Sequence, residues 1–247
     1  MKSTFLIALA LAGANAHATT IIALFNGEVS SEAIQRFIVN DPTNPGWVDT
    51  TTGEFTFTQT GATYSGLAAT FVAFCIEPRE FVSGGSTYTY NLVPLDQGTT
   101  NIGGMGAAKA ALLDELFGRY YPTFGAPLDA EHASALQIAT WEIVRELPAN
   151  PLNVSSGNIS FRNPQDAPAL TLAQTYLSSL NGQGPMAANL AALDEVGAQD
   201  VVVQLLPGHA LAAPEPASYA TAGLALVGLS LLLRRRRVHA TAVVSRS

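Results

Sequence analysis

The chain has 247 residues, a formal net charge of −7, four histidines and a single cysteine. One cysteine excludes a disulfide framework or a cysteine-rich zinc site, and His17, His132, His209 and His239 fall in no metal-ligand spacing, so neither metal nor cofactor is expected. Between residues 19 and 213 six basic side chains stand against eighteen acidic ones, a formal charge of −12; with no basic stripe to neutralise phosphates, a nucleic-acid partner is excluded.

Lys2, the apolar run "FLIALALAGANAHA" and its closing small residues follow the order of a secretory signal peptide over residues 1–18. Ala16-His17-Ala18 is a small-x-small cleavage pattern that starts the mature chain at Thr19, with Ala14-Asn15-Ala16 as a competing site. No cysteine follows the apolar run, which argues against a lipid-anchored lipoprotein.

The mature chain first reads as strands. "TTIIALFNG", "EAIQRFIVN", "GEFTFTQTGATYSG", "TFVAFCIEP" and "STYTYNLVPL" are β-branched or aromatic runs divided by Gly, Asn, Pro and Ser, predicting an antiparallel region from Thr20 to about Leu95. The period then changes. "GGMGAAKAALLDELFGRYY" carries Leu112, Leu113, Leu116, Phe117 and Tyr120 at helical spacing. "AEHASALQIATWEIVREL" predicts a second helix, with Asp129 as its N-cap and Pro148 just beyond its end. Leu136, Ala139, Ile143 and Leu147 form its apolar face, leaving Glu142, Arg145 and Glu146 largely elsewhere. A strand "NISF", a helix "PALTLAQTYLSSL" and a closing strand in "QDVVVQLLPG" complete the order. The class expected is α+β, an antiparallel barrel or sandwich-like region with inserted helices, in one domain over 19–206. A linker is read over 207–213.

At the far end Ala217 to Leu233 are free of charge and precede Arg234, Arg235, Arg236 and Arg237. A helix there covers about 25 Å at about 1.5 Å per residue, enough for a weak transmembrane anchor with its arginines, and a tail over 238–247, in the cytoplasm. Pro214-Glu215-Pro216, this apolar helix and the arginine cluster together resemble the PEP-CTERM sorting signal of Gram-negative bacteria, over residues 214–237. The resemblance implies a membrane protease of the exosortase type as partner, and delivery from the inner membrane to the cell surface or the exopolysaccharide matrix.

A second resemblance joins the strand motif "FCIEP" to the helix motif "LQIATWE" 62 residues later. The pair is similar to the bacterial thioester domain of surface adhesins, in which a strand cysteine and the glutamine of a Thr-Gln-x-Ala helix condense into an internal thioester; here Leu136 stands at the threonine position. The resemblance implies Cys75 as sulfur donor, Gln137 as acyl donor, and Ala139 and Trp141 at the family's small and aromatic positions. Chemically, a thiolate held about 3–3.5 Å from a side-chain amide attacks it with an intramolecular advantage and expels ammonia. The stored ester then transfers once, to an amine or hydroxyl on a protein or polysaccharide, without enzymatic turnover. Gln137 and Trp141 share a helix face as i, i+4 neighbours, so the indole can keep the contact dry, aided by Phe71 and Phe74. His132 lies about 140° round the helix from Gln137, which argues against a role as base. Glu77 and Glu80 are expected to order the loop. The alternatives are a non-covalent surface or biofilm-matrix protein whose Cys75 is an inert buried thiol, and an intermolecular disulfide. No carboxylate pair is singled out by spacing for hydrolytic chemistry.

Overall fold

A computed structural model describes residues 19–211 except 42, 100–103, 122, 127, 163–167, 196 and 210. The proposed signal peptide, sorting motif (Pro214, Glu215, Pro216, Arg234, Arg235, Arg236, Arg237), apolar segment 217–233 and tail lie outside the described residues. Among the described residues no helix is long and apolar enough to cross a membrane.

The described chain forms β1 (Thr19–Ile38), β2 (Val48–Gln59), β3 (Thr70–Cys75), β4 (Thr87–Pro94), α1 (Ala107–Tyr120), α2 (Ala130–Arg145), β5 (Ile159–Arg162), α3 (Pro168–Ser179), β6 (Leu190–Asp194) and β7 (Val201–Gln204). Every strand pairing is antiparallel, and the pairings β1–β2, β2–β3, β3–β7, β7–β6, β6–β4 and β4–β1 close a six-stranded circuit. β5 extends the far end of β1 beyond that circuit. The α+β class, with a barrel-like sheet and inserted helices, is therefore observed. Closure removes the exposed edges that an open sheet of this length would present.

Two strands expected in the first forty residues are one. β1 continues through the polar stretch Asn26–Ser31 by two irregularities in its pairing with β2, between Phe25 and Gly27 and between Val29 and Ser31. Each inserts an unpaired residue and bends the strand. Ser30 takes a left-handed φ of 50°, and its carbonyl comes so close to β2 that a side chain on Gly53 would collide with it. The bend lets the first half of β1 pair with β4 and the second half with β5.

Aromatic rings fill the barrel. Phe25, Phe55, Phe57, Phe71 and Tyr90 are all buried, with Phe57 stacked on Phe71 at 5.5 Å and edge-on to Tyr90 at 5.9 Å. Each such ring contributes about 1.5–3 kcal/mol through burial. Outside the barrel, α2 packs against β1, β2 and β3 on one side and α3 on the other. Asp129 caps α2, its Oδ1 accepting from the His132 N–H at 2.9 Å.

α2 departs from the expected amphipathic pattern. Every residue from Ala133 to Arg145 is buried, including Glu142, and Glu146 just after it is 2 % exposed, whereas Leu147, expected on the apolar face, is 55 % exposed. A helix wedged between a barrel wall and a second helix has no wet face, so its charged residues are enclosed. β6 was absent from the expected elements; "LAALD" is alanine-rich and lacks the β-branched signature, and only its pairing with β4 and β7 makes it a strand. Residues read as the start of a linker also lie on the body: just after Leu206, whose N–H donates to the Gly66 carbonyl at 2.8 Å, His209 packs edge-on against Tyr64 and Leu211 reaches the core.

Candidate functional site: the Cys75–Gln137 junction

Cys75 ends β3 and Gln137 stands mid-way along α2, and the two meet. The Cys75 N–H donates to Gln137 Oε1 at 2.9 Å, while Gln137 Nε2 donates to the Cys75 carbonyl at 2.7 Å. Register explains the arrangement. β2 and β3 pair as far as Phe55 opposite Ala73, so the same register continued two residues would set Gly53 opposite Cys75. The strands part there, and Gln137 inserts its amide where a backbone peptide of β2 would otherwise complete the ladder. On the other side of β3, Cys75 is paired with Val201 and the Ile76 N–H donates to the Asp200 carbonyl at 2.8 Å. Nearby, the hydroxyls of Thr52 and Ser134 are hydrogen-bonded, tying β2 to α2 one turn before Gln137.

The junction is dry: Cys75 is 0 %, Gln137 1 % and Trp141 1 % exposed, and the thiol is free. Burial pushes the thiol well above the ordinary cysteine range; the Trp141 side chain and the Glu77 backbone N–H oppose this, and the Glu77 and Asp200 carboxyls reinforce it. The indole N–H of Trp141 meets no conventional hydrogen-bond geometry but lies close enough to ease ionisation of the sulfur. Trp141 is held flat against Phe161 of β5, at 6.3 Å and 8° between planes.

Of the other expected participants, Ala139 is fully buried but lies about 200° round the helix from Gln137, so it packs α2 and does not touch the amide. Phe74 corrects the expected cover. Alternation along β3 sends it to the opposite side from Cys75, where it packs against Phe117, Tyr121 and Phe124. Phe71 shares the parity of Cys75 but is taken up by the barrel stack with Phe57. His132 is at the exposed start of α2, 2.7 Å from Asp129.

Sequence reasoning gave Glu77 its loop-ordering part but missed the enclosure of the charged groups near the junction. Glu77 is fully enclosed; its Oε1 accepts from the Arg79 N–H at 3.0 Å, and its Oε2 lies 3.9 Å from Arg145 Nη1. Burial raises the carboxyl, with Arg79 and Arg145 opposing. Burial likewise raises Asp200 to about 8, with the Glu195 N–H opposing, and, farther along α2, Glu142 to about 8, with the Asn153 N–H opposing. Arg36, 1 % exposed, comes from β1. A signal for it was present: Ile34, Arg36 and Ile38 alternate, which puts the arginine on the face its two isoleucines bury. Among the described residues no group of three or more His, Cys, Asp or Glu could hold a metal ion.

No protein-family model, curated protein or solved structure matches the chain. The functional reading therefore rests on the residues themselves.

Chemically, the junction can support acyl transfer from nitrogen to sulfur. The Cys75 N–H that fixes the amide is a donor aimed at Gln137 Oε1, the oxygen on which negative charge develops when sulfur adds to Cδ. Enclosure keeps water from the resulting ester.

Proposed function

We propose that this is an exported surface or exopolysaccharide-associated protein, sorted by an exosortase, whose domain forms an internal Cys75–Gln137 thioester and attaches covalently to an amine or hydroxyl of a partner. The observation that carries the reading is the two-point clamp between the Gln137 amide and the Cys75 backbone, which holds that one amide beside the chain's one thiol in a dry site. In the forming step Sγ bonds to Cδ, the Cδ–Nε2 bond breaks, and the thiol proton leaves with the nitrogen as ammonia. A partner amine or hydroxyl later displaces the sulfur, which recovers a proton as the free thiol, and Gln137 is left in amide or ester linkage. This is single acyl transfer, not enzymatic turnover.

A second reading has its own support. The Gln137 amide also completes the hydrogen bonding of the last residue of β3, the part it would play in a non-covalent structural protein with an inert thiol. Incubation with methylamine and peptide mapping separates the two: the thioester gives methylamide on Gln137 and a newly titratable Cys75, and the structural reading gives no adduct. For delivery, Glu215→Gln is expected to leave the protein membrane-retained; unchanged release would count against an exosortase.

A further inference from the structure

Among the buried polar side chains of the described residues, Arg36 leaves the most atoms unanswered. The guanidinium is enclosed between two apolar neighbours of its strand, yet Nε, Nη1 and Nη2 all lack a hydrogen-bond partner. An enclosed cation without such bonds costs several kcal/mol, and an isoleucine or methionine would fill the position at lower cost. Two observations locate it. In the ladder Arg36 is opposite Phe161, the residue whose ring lies flat against Trp141. From the other direction Phe81, six residues beyond Cys75, sets its ring 5.8 Å from the guanidinium. The cation is thus bracketed by the aromatic layer beside the thiol and by the loop that leaves it.

The geometry points to Arg36 as a positioning residue for the thioester chemistry: an enclosed cation that allows the Cys75 thiol to ionise in the dry junction. The chemical step rests on the thioester reading, whereas the action on the thiol does not. The charged groups facing Arg36 are Asp41 beyond the end of β1, Glu77 after β3, Arg145 of α2 and Cys75 itself, and the attraction to Cys75 is the strongest of these. Around the sulfur stand Trp141 from α2, Glu77, and Asp200 before β7. The two carboxyls resist a thiolate; the Trp141 indole and the attraction to the Arg36 guanidinium favour it, and of these two only Arg36 carries a compensating charge. Sulfur can attack only as thiolate. Arg36 keeps its own proton throughout; the thiol proton goes to the departing ammonia.

The test uses the mature chain and two readouts. Intact mass after expression is expected to show the ammonia deficit in most wild-type molecules, in part of an Arg36→Lys population and in few Arg36→Met molecules, with circular dichroism confirming that all are folded. A wild-type level of deficit in folded Arg36→Met would overturn the inference. The second readout needs no thioester. In a Gln137→Met background, whose thiol is free, alkylation by iodoacetamide at pH 8 reports the thiolate fraction, and one pKa unit is a factor of ten. Adding Arg36→Met should slow alkylation about tenfold, and Arg36→Lys much less. Mere loosening of the core would speed alkylation, and that result, or an unchanged rate, would refute the assignment of Arg36. A wild type of full mass would sink the thioester reading alone, with the alkylation rates still deciding whether Arg36 acts on the thiol.

Discussion

Two enclosed charged regions in this molecule are built on opposite plans. Glu115 of α1 is fully buried and fully answered: Arg119 reaches it with Nε at 3.0 Å and Nη2 at 2.7 Å, and the backbone N–H groups of Asn181, Gly182 and Gly184 converge on the same carboxylate. Burial alone would raise this acid, but Arg119 and the three backbone donors bring it down to about 2. The result is a clasp fixing the 181–184 loop to α1. Around Cys75 the polar atoms are equally enclosed and several are unanswered, with Arg36 Nη1 and Nη2, Glu77 Oε2 and Asp200 Oδ2 all lacking hydrogen-bond partners. Buried charges that serve stability are hydrogen-bonded; those left unpaired at one place mark where stability was not the only requirement.

The largest effect should come from Gln137→Leu. It strands the Cys75 N–H and carbonyl, at about 1–3 kcal/mol each, and removes a cross-link whose 62-residue separation corresponds to about 4 kcal/mol on the chain-entropy model used for disulfides. Cys75→Ala loses the cross-link alone, so urea denaturation should rank Gln137→Leu below Cys75→Ala, and both below wild type. Equal stability of Cys75→Ala and wild type would mean that no cross-link forms.

Glu115→Ala comes next, with a loss of about 3–5 kcal/mol from three stranded N–H groups and an arginine left with Asn181 alone. Its distinguishing feature is what it spares: folded molecules should keep the mass deficit, because the clasp lies outside the junction. Loss of the deficit in folded Glu115→Ala would show that the two regions are coupled.

The two plans also differ in pH dependence. Glu115, depressed in the folded state, adds stability that is complete above its unfolded value near 4.5 and is lost as pH falls toward about 2. Glu142 and Asp200, raised to about 8 chiefly by burial, act in the reverse sense: their contribution is complete below pH 4 and is lost as pH rises through about 8. Thermal midpoints should therefore peak on the acid side of neutrality, and Glu142→Gln should flatten the alkaline decline. A midpoint that climbs steadily from pH 5 to 8 would contradict these assignments.

Asp129→Ala should have the smallest effect, about 1 kcal/mol for loss of a helix cap, with the mass deficit unchanged. It serves as a control that mild destabilisation of α2 does not by itself abolish the chemistry.

The parts legible in the sequence were those with local causes. Alternation revealed β2 and β3, Asp129 and Pro148 bounded α2, and the i, i+4 spacing placed Gln137 and Trp141 on one face. The paired motifs pointed to Cys75 and Gln137 together, and the Gln137 amide does reach Cys75, through hydrogen bonds to its backbone. What local pattern could not give was the consequence of enclosure. Glu142 and Leu147 exchanged the surroundings expected of them because α3 covers one side of α2 and the helix ends where Leu147 emerges. Phe74 adjoins Cys75 in sequence but faces away from it, because the two-residue period of a strand sends neighbours to opposite sides. Arg36 went unnoticed because a lone basic residue in an acidic chain reads as solvated, although the alternation of Ile34 and Ile38 already turned it inward.

The central claim is a covalent bond between Cys75 and Gln137, and the intact mass of the purified, untreated mature chain tests it most directly. The account predicts a mass about 17 Da below that of the sequence, the loss of one ammonia, with the deficit absent from Cys75→Ala and from Gln137→Leu. A wild-type chain of full mass with a free, titratable thiol would contradict it.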